Sequence, residues 1–160
     1  MCGIAGILNL DGQPASPVIL KKMTDKIDHR GPDGEGQWLE DYFGIGHRRL
    51  SIIDLSPAGH QPMISSDQRY ILSYNGEIYN FNELRVELQS NGFKFNSQTD
   101  SEVVLYAFAY WGIDCVKKFN GMFAFSIWDR EKQKLYLARD RYGIKPMYYA
   151  QYGNTLLFAS

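Results

Sequence analysis

The segment GMFAFSIWD, residues 121–129, constrains the fold more than any other stretch of this sequence. Its aromatic and β-branched residues are typical of a β-strand. A strand at the surface alternates apolar and polar positions, but this segment places apolar residues on both of its faces. Such a strand must be covered on both sides. The segment therefore predicts a sheet that is enclosed between two other layers.

Other strand patterns accompany this segment. Three of them follow it at short spacing and are joined by turn signals, which predicts an antiparallel meander of four strands. In the first half of the chain, one predicted strand ends at the turn signal Asn75-Gly76. The predicted strands cover residues 3–8, 36–39, 43–53, 69–75, 93–95, 121–129, 134–140, 146–152 and 155–160.

Three amphipathic helices are predicted between the strands. The first covers 17–29, with Ser16 as N-cap, and the second covers 81–91, with Asn80 as N-cap. The third follows the capping-box pattern TDSE at 99–102, and 114–119 could add a short fourth helix. The segment 54–63 is rich in turn residues and predicts a long loop. Together these elements predict an α+β protein with antiparallel sheet and outer helices.

Composition excludes several functional classes. The 160 residues carry a formal net charge of −1, which provides no electrostatic basis for binding nucleic acid or an anionic membrane. The sequence has no apolar stretch long enough for a transmembrane helix and no signal peptide pattern. Its two cysteines, Cys2 and Cys115, form no disulfide framework, and no Cys/His cluster has zinc spacing, so no metal site is predicted. We expect a cytoplasmic protein.

Cys2 is the first candidate nucleophile in the sequence. If Met1 is removed, the free α-amine of Cys2 titrates near pH 7.7–8.0, close enough to accept the thiol proton and later return it. An N-terminal nucleophile of this kind needs no histidine base. By itself, however, Cys2 is better explained as a small apolar residue that begins a strand.

Seven segments change this balance because they occur together and in order. They are MCGIAGI, HRGPDG, HRRLSIIDLS, YNGEIYNF, TDSEVVL, GMFAFSIWD and ARDRYGIKPMYY. Their order resembles the N-terminal glutaminase domain of class II glutamine amidotransferases, over nearly the whole chain. The forms RGPD, YNGEIYN and YGIKPMYY are most similar to the branch of glutamine-hydrolysing asparagine synthetases.

The resemblance implies a set of catalytic residues. Cys2 is the nucleophile, and the side-chain amide of Asn75 with the backbone N–H of Gly76 forms the oxyanion hole. Arg49 binds the α-carboxylate of glutamine, a geometry that suits a bidentate guanidinium. Asp100 binds the substrate ammonium.

Further residues are implied to line the glutamine site. Glu77 assists Asp100, and the segment Leu50, Ser51, Ile52 and Ile53 contributes backbone groups. Arg30 is a candidate for supporting the Cys2 thiolate, although it equally suits a helix C-terminus. The loop 54–63 resembles a mobile cover, whereas 139–146 is interpreted as a structural turn that could face another domain. Cys115 is expected to be a buried thiol.

The resemblance also implies a fold and partners. The fold is the N-terminal-nucleophile hydrolase fold, a four-layer αββα sandwich with antiparallel sheets. We expect residues 1–160 to be a single glutaminase domain, a fragment that lacks the synthetase domain. That domain would use ATP and magnesium to amidate aspartate, whereas the glutaminase half needs no cofactor. The expected partners are glutamine and the synthetase domain, and a homodimer is a further expectation.

Three alternatives remain open at this point. The chain could belong to another class II amidotransferase branch with a different ammonia acceptor. It could serve an asparagine-synthetase-like enzyme of another pathway. It could also be a non-catalytic regulatory or interaction domain that keeps the fold, although the complete set Cys2, Arg49, Asn75, Gly76 and Asp100 argues against this.

Overall fold

A computed structural model describes residues 1–52 and 56–160. Within these residues the strands form two antiparallel sheets. The first sheet has the order β2-β3-β1-β9-β8, and the second has the order β4-β5-β6-β7. The strands of the first sheet are β1 (Gly3–Asn9), β2 (Gly34–Glu40), β3 (Phe43–Arg49), β8 (Tyr148–Tyr152) and β9 (Thr155–Ala159). Those of the second are β4 (Met63–Ile64), β5 (Tyr70–Ile78), β6 (Gly121–Asp129) and β7 (Lys134–Arg139).

Helices cover the outer face of each sheet. Helix α1 (Pro17–Lys26) packs on β1 and β3, and α3 (Asp100–Trp111) packs on β4 and β5. Helix α2 (Phe81–Ser90) packs against α3. Short 3-10 segments cover Asp28–Arg30, Pro57–Gly59 and Gly112–Lys117. The order of layers is therefore helix, sheet, sheet, helix, as the family resemblance implied.

Strand β6 is covered on both faces, which confirms the prediction made from GMFAFSIWD. Phe123, Phe125 and Ile127 pack in the cluster beneath α2 and α3. Ala124 and Trp128, which alternate with them, belong to the cluster between the two sheets. The central cluster draws residues from both sheets, among them Ile4, Phe43, Ile45, Ile71, Ala124, Trp128 and Phe158.

The predicted four-stranded meander is wrong in one respect. Strands β6 and β7 pair in the second sheet, whereas β8 and β9 pair in the first. Residues 140–147 carry the chain from one sheet to the other. Sequence spacing indicates hairpins correctly, but it does not say which sheet a hairpin joins.

The predicted turn at Asn75-Gly76 is also wrong. Both residues lie inside β5, paired with Ala124 and Phe123 of β6. Glycine is required at position 76 because a Cβ there would lie 2.5 Å from the carbonyl oxygen of Met122. The Asn-Gly signal here reflects the close approach of two backbones, not a hairpin.

Several element boundaries differ from prediction. Helix α1 ends at Lys26 instead of residue 29, β3 ends at Arg49 instead of residue 53, and residues 93–95 form no strand. Ser16 and Thr99 cap their helices as expected. Asn80 does not, because its amide donates to the carbonyl of Lys118 and accepts from the N–H of Asn120. Of the predicted loop 54–63, residues 54 and 55 lie outside the described residues.

Replacing Phe43 by alanine tests the apolar layer between the sheets. Phe43 is fully buried, and its ring stacks on Trp128 with centroids 4.4 Å apart. We expect the Phe43→Ala variant to lose about 3–5 kcal/mol of unfolding free energy, measured by urea denaturation. The exposed Val18→Ala on α1 is the control and should change stability by less than about 0.5 kcal/mol. Similar losses in the two variants would contradict this packing.

Candidate active site

The predicted site residues gather around one cavity at the end of the inter-sheet layer. Its volume is about 170 Å³. It is lined by most of the predicted residues: Cys2, Arg49, Leu50, Ser51, Ile52, Asn75, Gly76, Glu77 and Asp100. Ile53 lies outside the described residues, and Arg30 is not part of the lining. Residues more than 90 positions apart in the chain thus meet at one place.

Cys2 lies immediately before β1, facing the segment that follows β3. Its Sγ is 3.6 Å from the carbonyl oxygen of Leu50 and 3.4 Å from the N–H of the same residue. The thiol therefore both donates to and accepts from one peptide unit. Burial raises the pKa of the Cys2 thiol, although the Leu50 N–H, the chain's N-terminal amine and Arg49 act in the opposite direction. The thiol is thus protonated near neutral pH while Met1 is attached.

Two residues of the RGPD segment hold the backbone on either side of the Cys2–Leu50 contact. Arg30 Nε donates to the carbonyl oxygen of Cys2 at 3.1 Å. Asp33 Oδ2 accepts from the N–H of Ser51 at 2.8 Å. Among the described residues, Arg30 therefore contacts the backbone of Cys2 and makes no hydrogen bond to its thiol. Arg30 thus fixes the backbone immediately before β1.

Arg49 stands at the end of β3, where its guanidinium crosses the cavity wall. Its Nη1 donates to the carbonyl oxygen of Ser56 at 3.0 Å. Gly59 gives it passage, since a Cβ there would lie 2.3 Å from Arg49 Nη2. The neighbouring Arg48 points the other way, toward Asp25 and Glu35, as the alternation of a strand predicts.

Asn75 contributes a buried amide with an open donor. Its side chain is 2% exposed, and Nδ2 has no hydrogen-bond partner among the described residues. An unpaired buried donor costs roughly 1–3 kcal/mol, so its persistence in a cavity points to a ligand atom that it serves. Gly76 lies beside it on the same strand and also lines the cavity.

Asp100 is the first residue of helix α3 and lines the cavity. Its Oδ2 accepts from the hydroxyl of Tyr74 at 2.6 Å and from the N–H of Ile78 at 3.1 Å. Burial raises the pKa of Asp100, although these hydrogen bonds act to lower it. Glu77, by contrast, is exposed at the rim.

Sequence reasoning missed several residues of the cavity wall. Gln61 Oε1 accepts from the N–H of Tyr74 at 2.6 Å, and Gln61 Nε2 donates to Ser101 Oγ at 3.4 Å. This amide thus links strand β5 to the start of α3. Lys145 reaches the same cavity from the 139–146 turn. Neither residue lies in a periodic pattern, so only their three-dimensional neighbours reveal them.

The 139–146 turn itself is structural, as predicted. Asp140 is buried, and its carboxylate accepts from four backbone N–H groups, those of Phe123, Tyr142, Ile144 and Lys145. Burial would raise the pKa of Asp140, but these donors outweigh it and lower the pKa. The carboxylate therefore holds the crossing between the two sheets.

Elsewhere, a wider groove of about 540 Å³ lies near the β6–β7 turn. Its arginines are already paired: Arg130 with Glu40, and Arg69 with Asp129 at 2.9 Å. None of the predicted site residues lines it. Among the described residues no cluster of three His, Cys, Asp or Glu side chains could hold a metal ion, and no helix is long and apolar enough to cross a bilayer.

A family model described as a glutamine amidotransferase domain matches residues 1–160. Asparagine synthetase [glutamine-hydrolyzing] 1 of Bacillus subtilis is 42% identical, over 100% of this chain and 26% of its own length. A putative asparagine synthetase [glutamine-hydrolyzing] 2 of Methanocaldococcus jannaschii is 41% identical, over 100% of this chain and 34% of its own. Amidase chry2 of Gibberella zeae is 40% identical, over 100% and 26%. The chain thus spans a quarter to a third of these relatives.

Among solved structures, glutamine phosphoribosylpyrophosphate amidotransferase of B. subtilis superposes with a TM-score of 0.83. The match covers 99% of this chain and 41% of that chain, at 20% identity. At this identity the likeness shows the fold alone. It confirms the predicted fold class, an α+β sandwich of two antiparallel sheets between helical layers.

Replacing Asp140 by asparagine tests the turn that borders the cavity. We expect Asp140→Asn to lose at least about 2 kcal/mol of unfolding free energy near pH 7, because the amide repels part of the N–H cluster. The folded-state pKa of Asp140 lies below its unfolded value, so its contribution is complete above about pH 3.9 and disappears as the pH falls through the folded pKa.

Urea denaturation between pH 7 and pH 2.5 measures this dependence. The difference in unfolding free energy between the parent chain and Asp140→Asn should become smaller below about pH 4. The exposed Asp114→Asn is the matched control and should change stability little at any pH. A difference in unfolding free energy that stays constant from pH 7 to pH 2.5 would contradict the role of the charged Asp140 carboxylate.

Proposed function

This chain belongs to the glutamine amidotransferase domain family, and from that premise we propose that it hydrolyses the side-chain amide of glutamine with Cys2 as nucleophile. The observation that carries the proposal is the pairing of two groups in one cavity. These are the Cys2 thiol and the buried Asn75 Nδ2, which lacks a partner among the described residues. An amide hydrolase needs a nucleophile and an oxyanion donor that can reach the same carbonyl group.

The reaction proceeds in two steps. After loss of Met1, the Cys2 α-amine accepts the thiol proton, and Sγ attacks the amide carbon of glutamine. Asn75 Nδ2 and the Gly76 N–H stabilise the oxyanion of the tetrahedral adduct. The carbon–nitrogen bond breaks, and the leaving nitrogen takes its proton from the α-ammonium and departs as ammonia. Water then attacks the thioester, which releases glutamate and restores the thiol.

The remaining cavity residues recognise the amino-acid end of glutamine in this proposal. Arg49 receives the α-carboxylate, and Asp100 receives the α-ammonium with help from Glu77. Tyr74 and the Ile78 N–H already hold the Asp100 carboxylate in place, and Leu50, Ser51 and Ile52 close the wall. No step requires a metal or cofactor.

For the longer protein we propose the synthesis of asparagine. Relatives named as glutamine-hydrolysing asparagine synthetases support asparagine as the product that takes up the ammonia. The proposal adds aspartate as the acceptor, ATP and magnesium in a separate synthetase domain, and a cytoplasmic location. The relative named as an amidase favours a second candidate, an asparagine-synthetase-like enzyme with another acceptor. Sequence beyond residue 160 and an assay of the longer protein with aspartate would separate the two.

The deciding experiment is a glutaminase assay on the chain without Met1, with the N-terminus verified by intact mass. We expect ammonia release from glutamine, abolished in Cys2→Ala. Cys115→Ala removes the other thiol, which is buried away from the cavity, and should retain activity. A folded, processed chain without turnover, whose Cys2 resists an electrophilic glutamine analogue, would refute the proposal.

Asn75 and Asp100 should affect different kinetic constants. Asn75→Ala removes an oxyanion donor and should lower kcat by about 10²–10³ with little change in KM. Asp100→Asn removes the partner of the substrate ammonium and should raise KM by about tenfold or more.

Because burial raises the pKa of Asp100, the KM of the parent chain should also rise on acidification, and at a higher pH than for an ordinary aspartate. Steady-state kinetics from pH 4 to 9 test both, and identical profiles for the two variants would contradict these roles.

A further inference from the structure

Lys145 is a buried cation for which the proposed reaction has no use. Its side chain is 7% exposed and lines the same cavity as Cys2. Its Nζ contacts Met1 Sδ at 3.3 Å, and it forms no ion pair among the described residues. Burying an ammonium without an anion is costly, so the position calls for an explanation.

The backbone holds this lysine firmly in place. The N–H of Lys145 donates to Asp140 Oδ2 at 3.0 Å, inside the turn that links the two sheets. The side chain runs from there to the N-terminal residue. Its contact with Met1 is temporary if Met1 is removed, because Cys2 then becomes the terminus beside the same cavity wall.

We propose that Lys145 is a positioning residue that acts through the Cys2 α-amine: its positive charge disfavours protonation of that amine and so keeps it available as the base. The inference rests on the proposed function, since the amine has this task only in a glutaminase. The physical effect is the repulsion of two cations across a cavity of low polarity.

The other charges around the amine show why such a device is needed. Asp100 on α3 and Glu77 on β5 are carboxylates that line the cavity and favour a protonated amine. Arg30 donates to the Cys2 carbonyl, and Arg49 is placed to meet the substrate carboxylate. Bound substrate would pair its carboxylate with Arg49 and its ammonium with Asp100. This pairing leaves Lys145 and Arg30 as the cations that oppose Glu77 near the amine.

Selective labelling makes the amine observable. The sequence has two cysteines, so [15N]cysteine gives one α-amine signal from Cys2 and one amide signal from Cys115. Titration of the α-amine by NMR in the chain without Met1 should yield a pKa that rises by roughly one pH unit in Lys145→Met. Lys145→Arg keeps the charge and should return the pKa toward the parent value.

Two further variants separate electrostatics from folding. Lys132→Met makes the same change in net charge on the exposed β6–β7 turn and should leave the amine pKa within about 0.2 units of the parent. Lys145→Gln, neutral but polar, should reproduce the shift of Lys145→Met and serves if the latter fails to fold. An unchanged amine pKa in a folded neutral variant overturns the inference.

The pH profile of kcat/KM provides an independent measurement. Raising the pKa of the amine should move the acid limb of Lys145→Met to higher pH by roughly one unit, lowering activity near pH 7 up to about tenfold while leaving the plateau at high pH unchanged. A purely structural role would lower activity evenly at all pH values and would overturn the inference. The NMR titration decides the role of Lys145 and the parent assay decides the glutaminase, so either can fail alone.

Discussion

The apolar layer between the two sheets is the constraint on which the site depends. Arg49 belongs to the first sheet and Cys2 immediately precedes its strand β1, whereas Asn75 and Gly76 belong to the second sheet. Among the described residues no hydrogen-bonded ladder joins these sheets, so the distance between the Cys2 thiol and the Asn75 amide is set by side-chain packing. Close-packed interiors resist compression and therefore transmit position over this distance.

A polar contact inside that layer fixes the position of β3 relative to β5. His47 of β3 and Ser73 of β5 are both fully buried, and His47 Nδ1 lies 2.9 Å from Ser73 Oγ. Burial, with the nearby positive charges of His60 and Arg49, lowers the pKa of His47 to about 3, so the imidazole stays neutral. This hydrogen bond, with the one that Ser73 Oγ donates to the carbonyl oxygen of Gly46, thus ties the strand that carries Arg49 to the strand that carries Asn75.

The cavity also concentrates charges that a buried site ordinarily avoids. Asp100 and Lys145 are both nearly buried, yet no ion pair joins them among the described residues. The carboxylate is stabilised by a phenol and a backbone N–H, and the lysine is held through its backbone by Asp140. Such separate support keeps both charges available for a ligand or a reacting group, where a direct pair would neutralise them.

The sequence by itself determined the layered class, the main elements and the residue types of the site. Alternating apolar faces, caps at Ser16 and Thr99 and seven ordered motifs are local properties, and local properties can be recognised along one dimension. Only the tertiary structure decided that β8 and β9 join the sheet of β1, that Asn75 lies within a strand, and that Lys145 reaches the cavity beside Cys2. These outcomes depend on contacts between residues far apart in the chain, whose geometry is determined by how the layers pack and not by the sequence pattern of either partner.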